Sequence, residues 1–205
     1  MRGRPSTQAN GALACPDVIR TATADDSADI TAALARAFHD DPVASYALPN
    51  NRKRPGQLQR FYRERLRTLL TDELVFCDAD RRAAALWAAP DRWHTPVSEL
   101  LRTRIFSWRT PLFLAGGLRV ERRHPTDPHY YLAILGVDPS AQGQGLGSQV
   151  IRPMLDRCDT EGVPAYLESS KETNLPFYER HGFRVTGEVE LPFGPPLWLM
   201  WRDPR

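Results

Sequence analysis

Residues 137–148 read Val-Asp-Pro-Ser-Ala-Gln-Gly-Gln-Gly-Leu-Gly-Ser. The run follows an apolar, strand-like stretch at 130–137 and leads into a helix-like stretch at 149–158. Its glycines, Gly143, Gly145 and Gly147, alternate with larger residues and leave backbone amides uncovered where the strand gives way to the helix. Uncovered amides at the N-terminus of a helix bind phosphate oxygens. The run therefore predicts a site for a phosphorylated ligand.

Two other kinds of glycine-rich loop fit this run less well. A Walker loop ends in Gly-Lys-Ser/Thr, and the run lacks that lysine. A dinucleotide fingerprint, G-x-G-x-x-G, is nearly matched by Gly143, Gly145 and Ser148. That fingerprint needs its glycines directly after the strand, whereas Pro139 and its neighbours intervene, and the chain after Ser148 is too short for a doubly wound domain. The spacing Q-x-x-G-x-G that begins at Gln142 fits a third kind of loop, and a plain glycine-rich turn is the remaining alternative.

Length and composition limit the class of protein. The chain has 205 residues and is 41% hydrophobic, which predicts a single domain over 17–205 after a flexible tail at 1–16. A formal net charge of +2 gives no case for nucleic-acid binding, and the arginine clusters at 52–54 and 60–67 are interpreted as a solvated helix face. No apolar run reaches the roughly 20 residues of a membrane span. The polar N-terminus also lacks the apolar core of a signal peptide, so we expect a cytoplasmic protein without a membrane partner.

Neither the cysteines nor the histidines are spaced as metal ligands. The cysteines, Cys15, Cys77 and Cys158, are scattered, which indicates a reducing compartment and idle thiols. The histidines also share no common spacing; they are His39, His94, His124, His129 and His181. We therefore expect no metal cofactor.

The first 120 residues are predicted to contain two helices, a hairpin and a third, mainly helical segment. The first helix begins at the capping box Thr23-x-x-Asp26 and stops near Pro42. The other predicted elements are a helix over 57–70, strands over 74–77 and 83–89, and a mainly helical segment over 97–120 that is interrupted near Pro111.

The C-terminal half gives a clearer pattern. The apolar stretch 130–137 is predicted to be a strand buried on both faces, and Pro153 is predicted to kink the helix after the glycine-rich run. The remaining predicted elements are a buried strand over 165–169, a short helix capped by Asn174 and ended by Gly182, and an antiparallel pair of strands over 183–189 and 197–201.

A second motif identifies the kind of loop. Residues 174–183 read Asn-Leu-Pro-Phe-Tyr-Glu-Arg-His-Gly-Phe. This string resembles the tyrosine helix after the fifth strand of GNAT-superfamily N-acetyltransferases, and the glycine-rich run resembles the pyrophosphate loop of that superfamily. Residues 163–170, together with the Asn-Leu-Pro-Phe-Tyr string, resemble the puromycin N-acetyltransferase branch. The resemblance covers 128–201 and implies an α+β fold in three layers (α/β/α), with a mixed, mostly antiparallel sheet of six or seven strands flanked by helices.

The resemblance also implies that acetyl-coenzyme A (acetyl-CoA) is the cosubstrate. Amides of the run would bind its pyrophosphate, and the strand-end backbone would pair with its pantetheine arm in a slot opened by a β-bulge. The candidate residues for this donor are Val137, Gln142, Gly143, Gln144, Gly145, Leu146, Gly147, Ser148 and Asn174. Asn174 would either contact coenzyme A or only cap its helix.

Acetylation of an amine needs a neutral nitrogen. An alkyl amine with a pKa near 10.4 is only about one part in 2,500 neutral at pH 7. Glu168, near the end of its strand, is the candidate general base, with a structural carboxylate as the alternative. Tyr178 is the candidate acid toward the leaving thiolate because tyrosine stays protonated at pH 7, with a core tyrosine as the alternative. Cys158 is expected to be packed, which argues against a covalent thiol intermediate.

The acceptor side is less well defined by sequence. Asp40 and Asp41 are candidates for pairing with a cationic acceptor or for simple solvation. The tryptophans Trp87, Trp93 and Trp108 are candidates for a pocket wall or for the core. We expect a small-molecule amine, a metabolite or an antibiotic, as acceptor of a monomer or homodimer. The alternatives are acetylation of a protein lysine or N-terminus, and a non-catalytic sensor of acyl-CoA.

Overall fold

The computed structural model describes residues 19–95, 97–105 and 107–205. The predicted tail at 1–16, with Cys15, lies outside the described residues. Within the described ranges, seven strands form one sheet: β1 (Arg20–Thr21), β2 (Val75–Cys77), β3 (Ala83–Ala88), β4 (Tyr130–Val137), β5 (Ala165–Ser169), β6 (Arg184–Glu190) and β7 (Pro196–Arg202). The α-helices are α1 (Ser27–Ala37), α2 (Pro42–Ala47), α3 (Arg54–Leu69), α4 (Val97–Thr103), α5 (Thr110–Glu121), α6 (Leu146–Glu161) and α7 (Leu175–Arg180).

The sheet is mixed and mostly antiparallel. Its strand order is β1-β2-β3-β4-β5-β7-β6, and β4 with β5 is the parallel pair. The other neighbouring pairs are antiparallel, including the hairpins β2–β3 and β6–β7. This arrangement confirms the predicted three-layer fold.

Two hydrophobic clusters cover the two faces of the sheet. One cluster packs α6 and α7 against β3, β4 and β5, with Leu146, Met154 and Tyr178 among its buried members. The other packs α1 and α3 against the opposite face and includes Ile30, Leu34 and Leu66. Strand β3 supplies alternate residues to both clusters and is buried throughout, because helices cover both of its faces.

Several sequence predictions differ from the structure in detail. Strand β4 alternates between buried and half-buried residues instead of being fully buried on both faces. Helix α6 contains Pro153, as predicted, and extends beyond the predicted stretch at both ends. The segment 97–120 divides into α4 and α5, and Pro111 lies in the first turn of α5, where its missing amide hydrogen costs nothing.

The arginine-rich helix face is not simply solvated. Arg54 and Arg65 are buried. Arg54 Nε donates to the Leu48 carbonyl over 2.8 Å, and Arg65 Nη1 lies 3.8 Å from Glu99 Oε2. The predicted solvated face is wrong for these two residues because partners from other segments, which no local pattern reveals, cover their side chains.

The centre of the sheet opens between β4 and β5. Their ladder has two pairs, Tyr130 with Ala165 and Tyr131 with Tyr166, although both strands continue further. Opposite β3, the register of β4 shifts so that Ala133 is left without a partner, which is a β-bulge. The bulge turns β4 away from β5 and leaves a gap lined by backbone in the middle of the sheet.

Candidate active site

Glu168 lies on β5 just beyond the last rung that β5 shares with β4. Its side chain is 8% exposed. The Tyr131 hydroxyl donates to Glu168 Oε2 over 2.6 Å, and His124 Nδ1 lies 3.4 Å from Oε1. Among the described residues, Oε1 is buried without a hydrogen-bond partner. A buried carboxylate oxygen left free in this way is costly, and is available to accept a proton.

Tyr178 packs in the hydrophobic cluster on the other face of the sheet. It lies on α7 and packs between the rings of Phe177 and Phe183. Burial, and then the negative charge of Asp41, raise the pKa of Tyr178, so that its hydroxyl stays protonated at neutral pH. No hydrogen bond to this hydroxyl is found within the described part of the chain, so its proton is free for a ligand.

Asp41 is a structural group rather than a solvated one. Its Oδ1 accepts hydrogen bonds from the amides of Val43 and Ala44, at 2.9 and 3.0 Å, and caps α2. The Ser170 hydroxyl donates to its Oδ2 and ties the end of β5 to the start of α2. Asp40, by contrast, points into solvent.

The glycine-rich run forms an exposed loop before α6. Gly143 and Gly145 have φ angles of +78° and +82°, in the region that favours glycine. The Ser148 and Gln149 amides donate to the Gly145 carbonyl, at 3.0 and 3.2 Å. Of the described residues, none takes the amides of 142–147 into a backbone hydrogen bond outside the helix ladder. The loop therefore presents a row of donors at the positive end of α6.

Side chains in the loop have different positions. Leu146 is buried and anchors the helix in the core, so only its backbone is available to a ligand. Gln142 and Gln144 are exposed, and Gln142 Nε2 donates to the Val137 carbonyl over 3.0 Å. A Cβ atom at Gly147 would lie 3.4 Å from the Phe177 ring and 3.6 Å from a Val137 methyl group. The run is thus packed directly against the tyrosine helix.

The glycine-rich loop is held on one side by Asp138 and on the other by His181, and neither was predicted as a site residue. Asp138 Oδ1 accepts from the Ser140 amide over 2.9 Å, and its Oδ2 accepts from Arg36 Nε over 2.6 Å. Burial opposes the charge of Asp138, but these hydrogen bonds lower its pKa and keep it ionised. On the other side, Ser148 Oγ lies 2.9 Å from His181 Nε2. The Asp-Pro-Ser sequence is a recognisable turn signal that could have identified Asp138.

Asn174 sits at the N-cap position of α7, but its side chain makes no capping hydrogen bond. The prediction of a side-chain cap is therefore wrong, because the residue has helical φ and ψ angles and continues a preceding turn of 3-10 helix. Its side chain is exposed.

The tryptophans divide between three environments. Trp87 is fully buried in the core, and Trp108 is 73% exposed. Trp93 stacks on His124, with ring centroids 3.5 Å apart. Cys158 is buried, as predicted, and burial raises the pKa of its thiol to about 12, which makes it a poor nucleophile.

A histidine pair beside Glu168 was missed by sequence reasoning. His124 and His129 are buried, and their Nε2 atoms are 3.0 Å apart. Both precede β4, while Glu168 is on β5, so their contact depends on the tertiary fold and no spacing rule signals it. Within the part of the chain that the structure describes, no group of three metal-ligating side chains could hold a metal ion.

Comparison with known proteins decides the family. The model of the acetyltransferase (GNAT) family matches residues 63–183. This chain belongs to the GNAT family. As a GNAT protein it is an N-acetyltransferase, and members of this family use acetyl-CoA. No helix in the described residues is both long and apolar enough to cross a membrane.

Individual proteins that resemble this chain in sequence or in structure are also named as acetyltransferases. The GNAT chain is 29% identical to an uncharacterised N-acetyltransferase of Schizosaccharomyces pombe, over 89% of this chain and 81% of that protein. It is 28% identical to a mycothiol acetyltransferase of Thermomonospora curvata, over 95% of this chain and 65% of that protein. A solved structure described as histone acetyltransferase HPA2 and related acetyltransferase, from Corynebacterium glutamicum, superimposes with a TM-score of 0.67 at 22% identity, covering 92% of this chain and 97% of that one. This likeness shows the shared fold alone.

Proposed function

We propose that this GNAT enzyme transfers the acetyl group of acetyl-CoA directly to the amine of a small molecule. The observation that carries the proposal is the gap between β4 and β5, with the free Tyr178 hydroxyl on one face and the free Glu168 oxygen on the other. Direct transfer needs both groups at one place, because the nitrogen must lose a proton and the sulfur must gain one.

The residues of the gap fit the donor. The amides of 142–147 and the N-terminus of α6 would bind the pyrophosphate, and the backbone of β4 up to Val137 would pair with the pantetheine arm. For Val137 to do so, the Gln142 side chain must leave the carbonyl that it now holds. Asn174, exposed at the start of α7, is close enough in sequence to Tyr178 to meet the same ligand.

Glu168 is the proposed base. Its Oε1 would accept a proton from the ammonium group of the acceptor, directly or through water, while Tyr131 holds Oε2 in place. A base is worth most for an alkyl amine, which is almost wholly protonated at pH 7.

Tyr178 is the proposed acid. As the bond between carbon and sulfur breaks, its hydroxyl would donate to the thiolate. Because burial raises the pKa of Tyr178, its hydroxyl stays protonated and would stabilise the thiolate by a hydrogen bond. Full proton transfer from Tyr178 is unnecessary, since a thiolate with a pKa of about 8.5 is already a good leaving group.

A small acceptor is favoured over a protein by two observations. The string at 163–178 resembles the puromycin N-acetyltransferase branch. The chain is also related over 95% of its length to a protein named as a mycothiol acetyltransferase, a name that refers to a small molecule. Both support a small acceptor of metabolite or antibiotic type without naming it.

The test is thiol release from acetyl-CoA with a panel of aminonucleosides, polyamines, arylalkylamines and lysine-containing peptides. We expect release with at least one small amine, with the acetylated product seen by mass spectrometry. Thiol release with the peptides alone would show that the acceptor is a protein and not a small molecule. Tight coenzyme A binding without release from any amine would leave only the sensor function.

A further inference from the structure

Four contacts join Glu168 to the two buried histidines and the backbone. His129 Nδ1 lies 2.6 Å from the Asp127 carbonyl, and His129 Nε2 lies 3.0 Å from His124 Nε2. His124 Nδ1 then faces Glu168 Oε1 at 3.4 Å, and Tyr131 holds the other carboxylate oxygen. Two hydrogen bonds and the 3.4 Å approach of His124 to Glu168 form a line from the backbone at 127 to the proposed base.

The carbonyl fixes where the protons lie. A carbonyl oxygen only accepts, so His129 Nδ1 must carry a hydrogen. The contact between the two Nε2 atoms needs a second proton, which His124 must supply because His129 Nε2 is then bare. His124 Nδ1 is left bare toward Glu168 Oε1, and their 3.4 Å separation is not a hydrogen bond, since Oε1 has no hydrogen-bond partner among the described residues. Two neutral imidazoles bring the two protons that these two hydrogen bonds need. The bare Nδ1 of His124 can therefore accept the additional proton that Glu168 takes up.

The far end of this line reaches a surface cleft. A cleft of about 370 Å³ is lined by both histidines, with Trp93 and His94 on its wall. His124 is stacked under Trp93, and its side chain is 2% exposed. The two imidazoles thus stand between the cleft and Glu168, and a proton can pass along them where a ligand cannot.

We propose that His124 and His129 carry the proton that Glu168 takes from the acceptor out to the cleft. The proposal rests on the proposed function of Glu168 and adds the route by which the base is regenerated. Both histidines are positioning and relay residues, because neither is placed against the substrate.

The protons balance over one turnover. An ammonium acceptor loses two protons when its nitrogen bonds to the acetyl carbon and the bond from that carbon to sulfur breaks. One ends on the sulfur of coenzyme A, which Tyr178 stabilises by a hydrogen bond. The other leaves through Glu168, His124 and His129, and His129 Nδ1 must exchange the Asp127 carbonyl for water in the cleft to release it. An arylamine, which is neutral at pH 7, loses only the first of these. The relay is therefore needed for alkyl amines and not for aryl amines.

The surroundings favour release at the cleft. Burial lowers the pKa of His129, so this ring holds the additional proton weakly. The charged and titratable groups that face the pair are Asp91, His94, Glu121, Arg122 and Asp127 around the cleft, Tyr131, Tyr166 and Glu168 on the sheet, and Arg65 on α3. The acidic groups at the cleft attract a departing proton.

The decisive variant is His129→Asn, which keeps a donor for the Asp127 carbonyl but has no second ring nitrogen. We expect kcat for 2-phenylethylamine to fall roughly tenfold to a hundredfold, and kcat for 4-methoxyaniline to stay within about twofold. His94→Gln is the matched control, since His94 lines the same cleft outside the line, and should change neither rate. Added imidazole should restore the alkyl amine rate of His129→Ala. Equal loss with both amines, or no rescue, would overturn the relay.

A second measurement does not depend on turnover. In protein labelled with ¹⁵N-histidine, we expect His129 Nδ1 to be protonated and a strongly downfield proton to be shared by the two histidines. His129→Asn should shift the His124 nitrogens, and His94→Gln should not. A deprotonated His129 Nδ1 would refute the relay even in an active enzyme. So would His124 signals that are the same in His129→Asn as in the wild type. If the expected spectrum were found in a protein without transferase activity, the proposed function would be refuted, but the hydrogen-bonded pair of histidines would be supported.

Discussion

Ser148 Oγ lies 2.9 Å from His181 Nε2. This contact joins the first turn of α6, which follows the glycine-rich loop, to the residue that ends α7. The two motifs that are separate in sequence are thus fixed to each other by one side-chain pair. Because a ligand in the gap would touch both motifs, this contact helps to set the distance between its two binding elements.

Acid should destabilise the protein through protonation of His181. Burial, and then the nearby charge of Arg180, lower the pKa of His181 below its ordinary 6.5. Between that folded-state pKa and 6.5 the unfolded chain binds more protons, so the free energy of unfolding falls as pH drops through this window. His181→Gln, which keeps a donor for Ser148, should lose less stability between pH 8 and pH 5 than the wild type in urea unfolding. An equal loss in both proteins would contradict the assignment.

Tyr178→Phe should separate binding from chemistry. The change keeps the ring between Phe177 and Phe183 and removes only the hydroxyl. We expect kcat to fall roughly a hundredfold, with the Kd of acetyl-CoA nearly unchanged by calorimetry. Tyr130→Phe is the control, since its hydroxyl binds Glu161 where the ladder of β4 and β5 is intact. Full activity of Tyr178→Phe would show that the Tyr178 hydroxyl does not act on the leaving thiolate.

Gly145→Ala should weaken donor binding. Gly145 has a φ of +82°, and a left-handed non-glycine residue costs about 1–2 kcal/mol, so the loop would relax and misdirect its amides. We expect a Kd for coenzyme A raised roughly tenfold. Gly117→Ala, in the exposed face of α5 with open space around its Cβ, should instead stabilise the fold by about 0.5–1 kcal/mol and leave the Kd unchanged.

Glu99→Gln should expose the cost of a buried charge. Glu99 is 2% exposed, accepts from the Thr68 hydroxyl over 2.8 Å and faces Arg65. Without the carboxylate, Arg65 keeps a buried positive charge with no ionic partner among the residues that the structure describes, at a cost of about 3–5 kcal/mol. The exposed side chain of Arg67 gives the comparison, since Arg67→Gln should cost less than about 1 kcal/mol in the same denaturation experiment. Similar losses in the free energy of unfolding in both variants would show that breaking the buried Glu99–Arg65 pair costs no more than removing an exposed charge.

The C-terminal half of the fold was predictable because its signals are local. The strand over 130–137, the glycine-rich run and the string at 174–183 each carry their structure in neighbouring residues. The same holds for the loop anchor at Asp138, whose Asp-Pro-Ser turn is visible in sequence. Elements of this kind depend on backbone preference and on periodicity, which one sequence contains.

The errors come from contacts between distant segments. Arg65 and Asp41 looked like solvated charges, but Glu99 and Ser170 reach them from far along the chain. His124 meets Glu168 in the same way. Whether a polar side chain is buried depends on what the tertiary fold brings to it, and a single sequence without covariation holds no record of those pairs.

The two-rung ladder between β4 and β5 also bears on the energetics of the whole molecule. If the pantetheine arm pairs with β4 as proposed, the donor completes the sheet as a removable strand. The backbone amides along 132–137 that point into the gap, and not those bonded to β3, would then exchange with deuterium quickly in the free enzyme and slowly in the complex. A donor at a hundred times its Kd adds about 2.7 kcal/mol to the free energy of unfolding. The abundance of the folded enzyme in a cell would accordingly follow the supply of its own substrate.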